Sequence, residues 1–143
     1  MLTKDAFPII LFEVSLAWRN ELDKRLKPLG LSQAKWRVLA HLSISDGPLK
    51  QIDLANRLGV EGPTLVGLLD RLAKDHWIER VNDTNDRRSK SVHLTPKAQQ
   101  TIQAIHATAE TLCRELLSMM PQDQVDTCVD VLRNIKQCLE VMS

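Results

Sequence analysis

Asp86, Arg87, Arg88 and Lys90 crowd one polar stretch that runs from Asn82 to Lys90. Three cations with a carboxylate beside them make or break no bond on their own. They suit gripping a polyanion, and the competing reading of the stretch taken alone is a solvated charged loop. A second group stands upstream, where Glu61, Gly62, Pro63, Thr64, Val66, Gly67 and Arg71 mix hydrogen-bonding, apolar and cationic side chains with two glycines. On one face of a helix, such a set reads a surface rather than transforms a substrate.

Other chemistries lack their residues. There is no GxSxG, no HExxH and no phosphate-binding glycine loop. His41, His76, His93 and His106 are scattered, so no catalytic residue, metal site or cofactor is expected. Cys113, Cys128 and Cys138 are odd in number and lack CxxC spacing, which fits a reducing cytoplasm and thiols used as small buried hydrophobes, with redox sensing as the alternative. No signal peptide is expected, because Lys4 and Asp5 precede a patterned helix, and no apolar run approaches membrane-spanning length.

The elements that must position the two clusters follow from periodicity. Phe7, Ile10, Leu11, Val14, Trp18, Leu22 and Leu26 predict a helix over 7–29. Ser32 is a good N-cap for a second helix with Trp36, Leu39, Ala40 and Leu42 inward. After the turn at Asp46-Gly47-Pro48, a short helix is expected over about 49–58, closed by Gly59. A further helix starts near Pro63 and turns Leu65, Leu68, Leu69 and Leu72 inward. Small Ala55, left-handed Gly59 and Val60 between the helices suit a tight helix-turn-helix. The period then changes to two strands, 77–81 and 91–94, joined as one hairpin with a long polar tip. Thr95-Pro96 is expected to start a helix, with Thr as N-cap and Pro first. Two helices with apolar steps of three and four then run to the end, broken at Pro121.

The fold class is therefore mainly α with a small β-hairpin wing: a winged helix-turn-helix plus a helical region. Residues 31–100 are assigned to DNA binding, and residues 1–30 and 101–143 are its helical flanks. The second helix of the pair lies in the major groove, where Thr64 bonds a base edge or phosphate, Val66 meets a thymine methyl and Arg71 meets phosphate. The arginines of the hairpin tip suit the minor groove. Ser32, Gln33 and Gln51 are candidate phosphate contacts. Net charge is only +1, but residues 31–100 carry 11 Lys/Arg against 8 Asp/Glu, and residues 101–143 carry 3 against 6. A basic middle and an acidic tail separate two working surfaces.

On these residues the chain resembles the MarR family of bacterial regulators, and within it the SlyA-like branch. The resemblance rests on Trp18-Arg19, Arg25-Leu26-Lys27-Pro28-Leu29, Leu54-Ala55 to Leu58-Gly59-Val60, Leu69-Asp70-Arg71-Leu72 and Asp86-Arg87-Arg88 followed by Leu94-Thr95. It implies that Arg88 enters the minor groove, that Arg87 pairs with Asp70 to brace the wing, and that Asp86 orients the arginines. It also implies a homodimer through the first and last helices, and double-stranded DNA as partner. The family usually has Gly where His76 stands, and the branch tends to have Arg where Gly67 stands. Many members bind small aromatic acids; Trp18, Arg19 and Trp36 would supply aromatic walls and a cation, although both tryptophans also fit as core packing. A winged-helix module used only for protein contacts is the alternative from another class, and it would not need Arg87 and Arg88.

Overall fold

The computed structural model describes residues 3–45, 47–82 and 90–143. Its contacts divide the chain into two units, residues 1–108 and 109–143. In the first unit, helix α1 (Thr3–Leu26) is followed by one turn of 3-10 helix at Lys27–Leu29. The single helix expected over 7–29 stops here because Pro28 disfavours helical geometry at the residue before it. Gly30, at φ 73°, closes the turn by donating its N–H to the Lys27 carbonyl at 3.0 Å.

Helix α2 (Gln33–Ser43) is capped as expected: the Ser32 side chain accepts from the Lys35 N–H at 3.3 Å. Next come strand β1 (Leu49–Lys50), helix α3 (Gln51–Leu58) and helix α4 (Gly62–Lys74). Strands β2 (Ile78–Asn82) and β3 (Lys90–Leu94) follow, then helix α5 (Ala98–Leu117). The sheet has three strands in the order β1-β3-β2, all antiparallel, where a two-stranded hairpin was expected. Leu49 and Lys50 pair with Val92 and Ser91 rather than opening the next helix. Pro48 starts the stretch extended, and the free edge of β3 offers backbone partners that the extended chain takes.

A second difference lies at Thr95. Instead of capping a helix at Pro96, its buried hydroxyl faces the carbonyls of His76 (2.6 Å) and Trp77 (3.1 Å), and α5 begins at Ala98.

The core of this unit is mostly leucine. Leu39, Leu54, Leu69, Leu72 and Val92 are fully shielded, with Trp36, Leu65, Ile78, Ala98, Ile102 and Ile105 around them. Gly59 takes φ 68° at the C-cap of α3, and His76 takes φ 62° just before β2, at the position where the resembled family usually has glycine. The upstream part of α1 is different: Phe7, Ile9, Ile10, Leu11, Phe12, Val14 and Leu16 are all exposed.

The second unit holds the end of α5 and helix α6 (Gln122–Met142), which buries no residue. Val129, Val131, Leu132, Leu139, Val141 and Met142 are exposed there. Cys128 and Cys138 are exposed as well and Cys113 is half-buried, against the expectation of buried thiols. The two exposed cysteines lie on α6, none of whose residues is buried.

Leu69→Ala is expected to cost about 3 kcal/mol by leaving a cavity in this core. Gly59→Ala should cost about 1 kcal/mol through backbone strain, since a Cβ there meets nothing within 4 Å. Urea unfolding of the two variants beside wild type measures both.

Candidate nucleic-acid interface

Helix α4 owes its orientation to its leucines. Leu65, Leu68, Leu69 and Leu72 are buried, which turns Gly62, Pro63, Thr64, Val66, Asp70 and Arg71 outward. Gly67 is half-buried, and a Cβ on it would stand 3.9 Å from Nη1 of Arg71. The Arg71 guanidinium thus lies back along α4 beside the glycine. The residues expected to read a groove do share one face.

Glu61 is the N-cap of α4 and Lys50 that of α3, and neither side chain caps its helix. The first-turn N–H groups of both helices therefore keep no side-chain partner from the cap, and each start carries the partial positive charge of the helix dipole. Between the two starts runs a groove of about 700 Å³, lined by Lys50, Gln51, Ile52, Glu61, Val66 and Lys90 among others. Gln51 is half-buried, and its Oε1 is shielded without a hydrogen-bond partner among the described residues. Ser32 and Gln33 lie elsewhere: Ser32 caps α2, and Gln33 Nε2 reaches Asn20 Oδ1 on α1 at 3.5 Å.

The wing is anchored by a five-pair ladder from Ile78↔Leu94 to Asn82↔Lys90. Its tip, with Asp86, Arg87 and Arg88, lies outside the described residues. Asp70, expected to brace the wing through Arg87, has another partner on the page: its Oδ1 accepts from Arg80 Nη1 at 2.7 Å. Arg80 is on β2, so this pair ties α4 to the wing strand. The sequence carries no signal for it, because nothing local relates position 70 to position 80.

A second cavity, of about 330 Å³, is lined by Trp18, Arg19, Leu22, Trp36, Arg37 and His41 among others. The structure thus brings together the three residues singled out for an aromatic acid. Trp36 is also a packing residue, 5% exposed, with Nε1 donating to Asp23 Oδ1 at 3.0 Å. Arg37 and His41 were not singled out, although their four-residue spacing on one helix puts them on one face. Burial, with Arg19 nearby, pulls the Arg37 pKa down. Burial, then Arg37, Arg57 and Arg19, pulls that of His41 below its ordinary value. The cluster is short of negative charge.

One arrangement resembles catalytic chemistry without supporting it. Ser43 Oγ lies 2.7 Å from His106 Nε2 and 2.7 Å from the Ala40 carbonyl. The one hydroxyl proton has two acceptors in reach, the carbonyl and the imidazole, and the tautomer of His106 decides between them, so the pair alone does not define a nucleophile and its base.

Residues 31–90, the segment that builds α2, the helix pair and the wing, match the profile of the MarR family. The transcriptional regulator PA3341 is 42% identical over 94% of this chain and 98% of its own, with a TM-score of 0.87. This chain belongs to the MarR family. Its members are DNA-binding transcriptional regulators and not enzymes. MarR from E. coli, solved as a mutant complexed with operator DNA, is 25% identical over 94% of this chain and 98% of its own, at a TM-score of 0.76. AbsC from Streptomyces coelicolor, a MarR family regulator, shares the fold at 22% identity, with 98% and 96% covered and a TM-score of 0.82.

Two measurements test this geometry. A double-mutant cycle on Asp70 and Arg80 should give a coupling of about 0.5 kcal/mol that shrinks with added salt, as for a partly exposed pair. For His41, the folded state disfavours the charged imidazole, so the unfolded chain binds more protons once pH falls below about 6.5. Wild-type stability should therefore drop between about pH 7 and pH 5 more than that of His41→Gln, as read by urea midpoints across that range.

Proposed function

We propose that this regulator binds a near-palindromic operator as a homodimer and is of the SlyA-like type. The observation that carries the reading is the outward face of α4, held by a leucine core in a chain of a DNA-binding family. Glu61, Gly62, Pro63, Thr64, Val66, Gly67 and Arg71 face the major groove. Arg87, Arg88 and Lys90 grip the flanking minor groove, with Asp86 orienting the arginines and Asp70 bracing the wing. Ser32, Gln33 and Gln51 approach phosphates. The complex of E. coli MarR with operator DNA supports placing this fold on a duplex.

Dimerisation is assigned to residues 1–30 and 101–143, with 31–100 as the DNA-binding domain. Exposed Phe12 in α1 and Val141 in α6 are typical of the apolar surfaces that a second copy would cover. No described helix is long and apolar enough to cross a membrane, in keeping with a cytoplasmic place of action. A small aromatic acid bound against Trp18, Arg19 and Trp36 would release the DNA; the cavity shared by the three, with its excess of cations, supports that part of the reading.

Selection of duplexes from a random library is the test, with wild type and Arg88→Ala side by side. A paired half-site motif about one helical turn apart is expected, with affinity falling steeply as salt rises. Arg88→Ala should lose about 2 kcal/mol, near thirtyfold, without unfolding. Unchanged affinity for that variant removes the wing from the interface. Salicylate titrated against tryptophan fluorescence should both quench the signal and weaken operator binding; neither effect would rule out the aromatic-acid site.

A further inference from the structure

Ile52 occupies a place that packing does not explain. It is the second residue of α3 and is 69% exposed, while Leu54, Ala55 and Leu58 of the same short helix are buried. At 100° per residue its side chain points roughly 110° away from the centre of that buried face. It borders the groove between the two helix starts, whose α4 side holds Val66, 41% exposed, and Gly62. An exposed, stiff, branched side chain on each helix therefore faces the same recess. The groove is also lined by Lys50 and Lys90, with Glu61 the one carboxylate among its described lining residues, and by two helix starts without side-chain caps.

An occupant must then offer negative charge to the cations and an apolar group to the recess. A DNA duplex offers both: phosphates along each strand, and the 5-methyl of thymine as the apolar group on the floor of the major groove. We propose that Ile52 reads sequence from the first helix of the helix-turn-helix, packing against the 5-methyl of a thymine distinct from the one met by Val66, while Lys50 holds a flanking phosphate. This rests on the DNA interface argued above and extends it from one helix to two. The glycine at position 62 lets the duplex backbone come close, since a Cβ there meets nothing of the protein and the space is open.

The test starts from the duplex that wild type itself selects. Each thymidine is replaced in turn by deoxyuridine, which removes the methyl and nothing else. Wild type, Ile52→Ala and Val66→Ala are compared by fluorescence anisotropy at one salt concentration. One position in each half-site, apart from the one that answers to Val66, should weaken wild type about fourfold, the worth of one buried methyl of about 0.8 kcal/mol. Ile52→Ala should be indifferent at that position, and Val66→Ala should retain the full loss there. Lys50→Ala should lower the slope of affinity against salt by about one phosphate contact and leave the thymine pattern alone. If Ile52→Ala and wild type respond alike at every thymine, the proposal fails. A fall of several degrees in the Tm of Ile52→Ala would make it a packing residue and overturn the proposal equally. If wild type selects no sequence at all, the DNA interface itself is wrong, a result distinct from selection that is blind to Ile52.

Discussion

The outward face of α4 depends on four leucines. Leu65, Leu68, Leu69 and Leu72 lock one side of α4 into the core, and the opposite side then has no freedom to choose its direction. A helix held only by its ends would wander in azimuth, and side chains meant for base edges must be placed to a fraction of an ångström. Burial is a non-directional force, yet at helical spacing it yields a directional result. The Asp70–Arg80 pair adds a lateral tie to the wing, worth little in stability but fixing how helix and strand meet.

The electrostatics divide along the same line. The groove at the head of α4 carries Lys50 and Lys90 and two open helix starts, an arrangement stable in water and better satisfied against phosphate. The cavity around Trp18 is less comfortable. Arg19, Arg37 and His41 line it with aromatic walls around them, and burial adds to the cost of charge on Arg37 and His41. Both recesses favour an anion, but one is open to a polymer and the other has the size of a small molecule.

Much of this was readable in the sequence, for reasons that can be named. The spacing of the α4 leucines, the left-handed turn at Gly59 and the cap at Ser32 are local facts, and all stand in the structure. The strand at Leu49–Lys50 was not readable, since two residues carry no period and only the edge of β3 makes them a strand. The cap rule misplaced Thr95, whose hydroxyl the fold turns toward two carbonyls 18 and 19 residues upstream. Arg80 was invisible as the partner of Asp70, and the outward turn of Ile52 was not readable because apolar type alone does not tell which way a short helix faces.

The two-residue strand has one more effect. With β1 on one side and β2 on the other, β3 has no free edge. What β1 still offers on its outer side is too short to template another chain, and the outer strand β2 carries Glu79 and Arg80, charges of the kind that discourage strand-to-strand addition. A protein whose helices expose so much apolar surface runs a real hazard of indiscriminate sticking through its sheet. The described sheet edges discourage that route, which leaves the exposed faces of the helices as the apolar surface open to a partner.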